Sequence, residues 1–318
     1  MIPDLVLFSA ALLIGTLALY YGAEWLVTGS KSIALKTGMS PMLIGLTIVA
    51  LATSSPELIV SLKAAFQGNP SIAVGNVVGS NIANIGLVLG FTALIYPVAA
   101  DKNALYREMP IMISIVFVMF ALMYNHMFTR LEGIFLLVLL TGFILYQIRT
   151  ARSQIYAKSD PEINELILER PKSIWLSLVL ISAGTALLVL GSDWFLYGAK
   201  GIGEHMGISD AVIGLTLVSV GTSLPELATS VMAAFKKESD MALGNIIGSN
   251  IFNVLCILGV TATIHPLTGG DITWTDLTVM LAFSVMLWPM MYHKMLLGRA
   301  KAAILCIGYV IYMAYLFG

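Results

Sequence analysis

The sequence predicts an all-α polytopic membrane protein: ten transmembrane helices in two five-helix repeats of opposite orientation. Three observations predict it. Hydrophobic residues make up 58% of the 318 and charged residues 11%, with a mean hydropathy of +0.90; soluble domains carry roughly 25% charged residues. Apolar runs bounded by charge, Pro or Gly recur along the chain, each near the ~20 residues needed to cross a bilayer. The chain also repeats itself without gaps. GLTIVALATSSPELIVSLKAAF, from Gly45 to Phe66, returns as GLTLVSVGTSLPELATSVMAAF, from Gly214 to Phe235, at an offset of 169 residues.

The ten spans fall at about 4–29, 41–66, 71–97, 105–124, 130–149, 173–200, 210–235, 241–265, 275–294 and 299–317. The runs are continuous rather than alternating, which excludes a strand-built barrel. Pro3 and Asp4 precede the first run with no basic residue, so it reads as a retained span and not a cleaved signal. One sizeable polar connection, 150–172, separates the first repeat (1–149, with its duplicated core at about 41–97) from the second (173–318, core at about 210–266). Cys256 and Cys306 lie in apolar spans and read as small buried hydrophobes. A net charge of −1 suggests no nucleic-acid partner.

Ten spans put both termini on one side, and the positive-inside rule selects which. With the termini outside, 14 Lys and Arg residues face the cytoplasm and only Lys63, Arg130 and Lys200 face outward. A multi-pass protein of the cell (inner or plasma) membrane is expected, both termini outside. Five spans per repeat is an odd number, so the halves insert in opposite directions about an axis in the membrane plane.

The repeats concentrate polar residues at membrane depth. Thr53-Ser54-Ser55-Pro56-Glu57 is matched by Thr222-Ser223-Leu224-Pro225-Glu226. A carboxylate inside a span costs at least about 2.5–3.5 kcal/mol on insertion scales, which marks it as functional. Proline removes a backbone hydrogen bond, so Pro56 should disturb the bond to Ala52 and Pro225 the bond to Gly221. Spacing of four places Thr53 with Glu57, and Thr222 with Glu226, on one helix face. A single proline kink with hydroxyls bonded back to the helix is common; two copies, each with a glutamate, are not. A second motif, GNVVGSNIANIGLVLG from Gly75, recurs as GNIIGSNIFNVLCILG from Gly244. Its glycines suit close helix approach. Ser80 with Asn84, and Ser249 with Asn253, share faces and add neutral oxygens. Asn76, Asn81, Asn245 and Asn250 stand open between ligand roles and bonding to the broken neighbouring helix.

An oxygen-only site with two carboxylates suits hard cations: calcium takes 6–8 oxygens in flexible geometry. Soft metals call for Cys or His, and His126, His205, His265 and His293 all lie outside the motifs. Two ionised glutamates carry −2, which one calcium or two sodium ions neutralise. Two close carboxylates repel, so proton competition is expected.

These motifs resemble the α-repeats of the calcium:cation antiporter superfamily, in particular the sodium/calcium exchanger family and its small prokaryotic members. The resemblance covers almost the whole chain. It implies a core of spans 2, 3, 7 and 8, past which the first span of each half slides, and sodium and calcium competing for overlapping sites. It implies ligands from Glu57, the Thr53 and Ser54 hydroxyls, the Ala50 carbonyl, Ser80 and Asn84. The second half supplies Glu226, Thr222, Ser223, the Ser219 carbonyl, Ser249 and Asn253. Asn253 stands where potassium-dependent members carry aspartate, which argues against potassium co-transport. The short connection at 150–172 leaves no room for the calcium-sensing domain that animal exchangers insert there.

The expected function is therefore antiport of Na+ against Ca2+, both as cargo, with no cofactor and no obligate protein partner beyond the lipid bilayer. A cation/proton exchanger using the same glutamates is the alternative. An intramembrane enzyme is disfavoured: no His-Glu-x-x-His helix occurs and no histidine sits in the motifs. A channel is disfavoured by the inverted pairing and the broken helices.

Overall fold

Gly38, at φ +71°, ends the first helix, α1, which runs 36 residues over Ile2–Thr37. It outlasts the expected 4–29 because residues 30–37 contain no helix breaker before that glycine. The computed structural model describes residues 2–157, 172–206, 219–270 and 272–317. Among them every element longer than two residues is helical.

A broken span follows: α2 (Pro41–Thr53) and α3 (Ser55–Phe66), bent by 41°. Ser40 caps α2, its side chain accepting from Leu43 N at 3.3 Å, with Pro41 in the first turn. Next come α4 (Pro70–Ile95), α5 (Ala104–Asn125) and α6 (Arg130–Ala157). His126, at φ +56°, turns the chain out of α5. A Thr129–Glu132 capping box starts α6, with Thr129 N donating to Glu132 Oε2 at 2.6 Å. Helix α6 continues eight residues past the expected end, so the polar connection begins as helix; 158–171 lie outside the described residues.

After residue 172 the chain forms α7 (Ile174–His205), α8 (Ser219–Thr222), α9 (Leu224–Phe235), α10 (Ser239–Ile264), α11 (Trp274–Tyr292) and α12 (Arg299–Phe317). The expected span 210–235 is described only from Ser219. Among the described residues, eight helices are long and apolar enough to cross a membrane, nine if α2 and α3 form one span. Helix α9 is apolar but only 12 residues long.

Helices α4 and α10 are the centre, with 72% and 83% of their apolar windows buried against 22% for α1 and α7. Four two-residue strands tie the ends together: β1 (Val98–Ala99), β2 (Met127–Phe128), β3 (Leu267–Thr268) and β4 (Leu296–Leu297). β1 pairs with β4 and β2 with β3, both antiparallel. Each sheet therefore takes one strand from before residue 150 and one from after 173.

Helices α1 and α7 pair along their length through glycines spaced by seven. These are Gly15, Gly22 and Gly29 on α1 and Gly184, Gly191 and Gly198 on α7, again at the offset of 169. A Cβ on Gly22 would lie 2.9 Å from Gly184 O, and one on Gly184 2.7 Å from Gly22 O. The seven-residue period keeps the stripe on one face, and the missing side chains bring the backbones into contact. At one end of α1, Lys31 pairs with Glu238 at 3.1 Å. Lys236 there reaches Glu24 at 3.5 Å and Thr28 at 2.7 Å.

Candidate functional site

Both proline motifs start helices rather than kink them. Ser54, at φ −84° and ψ 4°, separates α2 from α3, and Pro56 sits in the first turn of α3. Ser223, at φ −90° and ψ 5°, does the same between α8 and α9, with Pro225 in the first turn. Proline is at home there because a first-turn N–H has no partner within the helix. This corrects the expectation of one continuous face: Thr53 ends α2 while Glu57 belongs to α3, and Thr222 ends α8 while Glu226 belongs to α9. Each glutamate gains a position in the first turn of a helix, where the dipole favours negative charge.

The break draws groups from distant sequence together. Ser54 Oγ donates to Glu226 Oε1 at 3.2 Å. Thr53 Oγ1 lies 3.3 Å from Ala50 O, 3.1 Å from Asn245 Oδ1 and 3.4 Å from Ser249 Oγ. The Thr53 and Ser249 hydroxyls also stand beside the Glu226 carboxylate, and Glu57 is close enough to feel the Glu226 charge. Thr53, Ser54, Glu57, Ser80, Asn84, Ser223, Glu226, Ser249 and Asn253 are each at most 3% exposed. Thr222 is half-buried and shares a cavity of about 240 Å3 with Ser80, Asn76 and Gly79. Ser219 opens α8.

Six oxygens of these residues have no hydrogen-bond partner among the described residues: both of Glu57, Asn84 Oδ1, Ser223 Oγ, Glu226 Oε2 and Asn253 Oδ1. A buried acceptor left so costs about 1–3 kcal/mol, more when charged. Packing supplies no partner for them.

The two open pairs of asparagines divide. Asn76 Nδ2 donates to Glu57 O at 3.2 Å and to Ser61 Oγ at 2.9 Å. Its repeat partner Asn245 donates to Ser230 Oγ at 3.1 Å. Both brace the broken helix beside them. Asn81 and Asn250 instead approach the sulfurs of Met280 and Met112, and Asn250 Oδ1 accepts from Asn84 at 3.3 Å. Ser61 and Ser230 went unread in the sequence although they keep the same offset of 169. Asn245→Ala is expected to leave the Thr53 and Ser230 hydroxyls short of a partner and to lower stability by about 1–3 kcal/mol; an unchanged melting temperature would refute the brace.

Asn84 and Asn253 each open a π-helical stretch, Asn84–Leu89 and Asn253–Leu258. Such stretches are rare and gather at functional sites. Nothing in the residue pattern signals them. Across from the α10 glycines lies α2: a Cβ on Gly248 would come 2.7 Å from Ala50 Cβ, and one on Gly244 3.0 Å from Leu46 N.

The family model described as sodium/calcium exchanger protein matches residues 7–149 and 176–318. The chain belongs to the sodium/calcium exchanger family. It is 40% identical over 312 residues to the putative antiporter CaxA of Alkalimonas amylolytica, covering 96% of this chain and 97% of that one. It is 34% identical to the sodium/calcium exchanger MaX1 of Methanosarcina acetivorans, covering 96% and 97%. Its fold matches the sodium-calcium exchanger NCX_Mj, soaked with zero Na+ and Ca2+, at a TM-score of 0.83 and 35% identity over 98% of this chain and 99% of that one. The exchanger reading of the sequence thus holds: this is a small prokaryotic-type member, an all-helical multi-pass membrane protein of a cation/Ca2+ antiporter family. A family of antiporters is one of transporters, not enzymes. The paired motifs occupy the buried centre of this chain.

Proposed function

We propose that the protein exchanges Na+ for Ca2+ across the membrane by alternating access, with both ions as cargo at one site. The site is Glu57, Thr53, Ser54, the Ala50 carbonyl, Ser80 and Asn84 from the first half. Glu226, Thr222, Ser223, the Ser219 carbonyl, Ser249 and Asn253 complete it from the second. The observation that carries this reading is the set of six buried, unpartnered oxygens drawn from both halves. They are hard donors of the kind calcium takes. Carboxylates from two broken helices favour a site shared between repeats, as in transporters built this way.

Ten spans in two inverted repeats, 1–149 and 173–318, with both termini outside, complete the proposal. The pairing of β1 with β4 and of β2 with β3 supports it, since strict alternation of ten spans puts the members of each pair on the same face. So does the Lys31–Glu238 pair. Reporter tags at both termini are expected outside the cytoplasm; a cytoplasmic terminus would overturn the charge argument.

Proteoliposomes holding the purified chain test the counter-ion. An imposed sodium gradient is expected to drive calcium uptake, slowed by acid on both sides because protons compete for the carboxylates. Uptake driven by a pH gradient and indifferent to sodium would replace this reading with cation/proton exchange.

A further inference from the structure

An open cavity of about 710 Å3 lies between α5 and α6, lined by none of the proposed ion ligands. One wall is Pro110, Ile111, Ser114 and Val118; the other is Val138, Gly142 and Tyr146. The Ser114 hydroxyl is satisfied by Pro110 O at 2.8 Å, so that wall presents apolar surface. A Cβ at Gly142 would meet nothing within 4 Å among the described residues. From Pro110 to Val118 the groove is about 12 Å long at 1.5 Å per residue, close to the depth of one leaflet of a ~30 Å hydrocarbon core.

One end of the groove carries Arg107 and Arg149. The Arg107 guanidinium lies over the Tyr146 ring, 5.5 Å from its centroid. Buried Glu108 pairs with Arg107 at 2.7 Å and accepts from Gln147 at 2.8 Å, which fixes the guanidinium; the Arg107 side chain as a whole is 29% exposed. Exposed Arg149 is three residues beyond Tyr146, on the same face of α6. The floor is Leu255, within the π-helical stretch that Asn253 opens.

We propose that this groove binds one acyl chain of an anionic phospholipid, its phosphate held at Arg107 and Arg149. The apolar walls take the chain, the aromatic ring sits at headgroup level, Arg149 selects for negative charge, and Arg107, its charge matched by Glu108, donates hydrogen bonds to the phosphate. Chain packing on Leu255 then supports the turn that carries Asn253. The proposal depends on neither the counter-ion nor the ligand set.

Native mass spectrometry of the full chain, incubated with phosphatidylglycerol or with phosphatidylcholine of identical acyl chains, tests it. Phosphatidylglycerol is expected to be retained about fivefold better than phosphatidylcholine. Gly142→Leu, or Ser114→Leu from the opposite wall, is expected to lose the adduct while keeping the wild-type melting temperature. R149Q is expected to lower the preference about fivefold. Equal retention of the two lipids, or an undiminished adduct in whichever filling variant folds, would overturn the proposal. So would a doubled mass that disappears on filling the groove, since the occupant would then be a second copy of the chain.

Discussion

Replacing Glu226 by glutamine is expected to abolish calcium transport while leaving the protein folded, and Glu57→Gln is expected to do the same. A unit charge about 4 Å from an ion contributes about 4 kcal/mol at an effective dielectric of ~20, and twice that for a divalent ion. Losing one carboxylate therefore weakens calcium by well over a thousandfold and sodium by about a thousandfold. The two variants differ in what they leave behind. Glu226 accepts from Ser54 and lies beside the Thr53 and Ser249 hydroxyls, so an amide there also disturbs a hydroxyl cluster. Glu57 has neither carboxylate oxygen partnered among the described residues. Its amide relieves a buried charge, and Glu57→Gln is expected to melt at or above the wild-type temperature. Isotopic calcium uptake with a thermal-melt control decides the matter. Wild-type uptake in both variants would remove the glutamates from the site.

Gly22→Leu is expected to destabilise the protein strongly, by about 3 kcal/mol or more. A Cβ there already comes 2.9 Å from Gly184 O and Leu188 N, both backbone atoms, so no side-chain rotation relieves it. Overpacking of a tight core costs typically about 1–3 kcal/mol, and here two helices of 36 and 32 residues would have to separate. Gly191→Leu is expected to act alike from the other helix. A thermal melt of either variant close to wild type would show that the α1–α7 contact yields.

Legibility differed between the two levels. The helical membrane fold lay open in the sequence because a span needs only length and apolarity, and the repeat offset of 169 carried the motif pairing. The sequence also marked where the helices break, through Pro56 and Pro225. It misread how, because a kinked helix and a newly started one contain the same proline; the difference lies in the φ/ψ of Ser54 and Ser223. The roles of Asn76 and Asn245 depended on Ser61 and Ser230, each fifteen residues away, beyond any local pattern. The π-helical stretches at Asn84 and Asn253 cost one extra residue per turn and leave no trace in composition. The glycine heptads of α1 and α7 were readable, yet show their meaning only when the two stripes meet.

The two small sheets bear on how the protein comes to be made. Each joins a strand synthesised before residue 150 to one synthesised after 173, and the α1–α7 stripe spans the same divide. Helices α1 to α6 therefore emerge from the ribosome with their strand edges unmatched and Glu57 on an α3 not yet packed against α10. Completion of the chain, rather than of either half, is the event that closes the fold. The two halves expressed as separate polypeptides should each be degraded alone and rescue one another when made together.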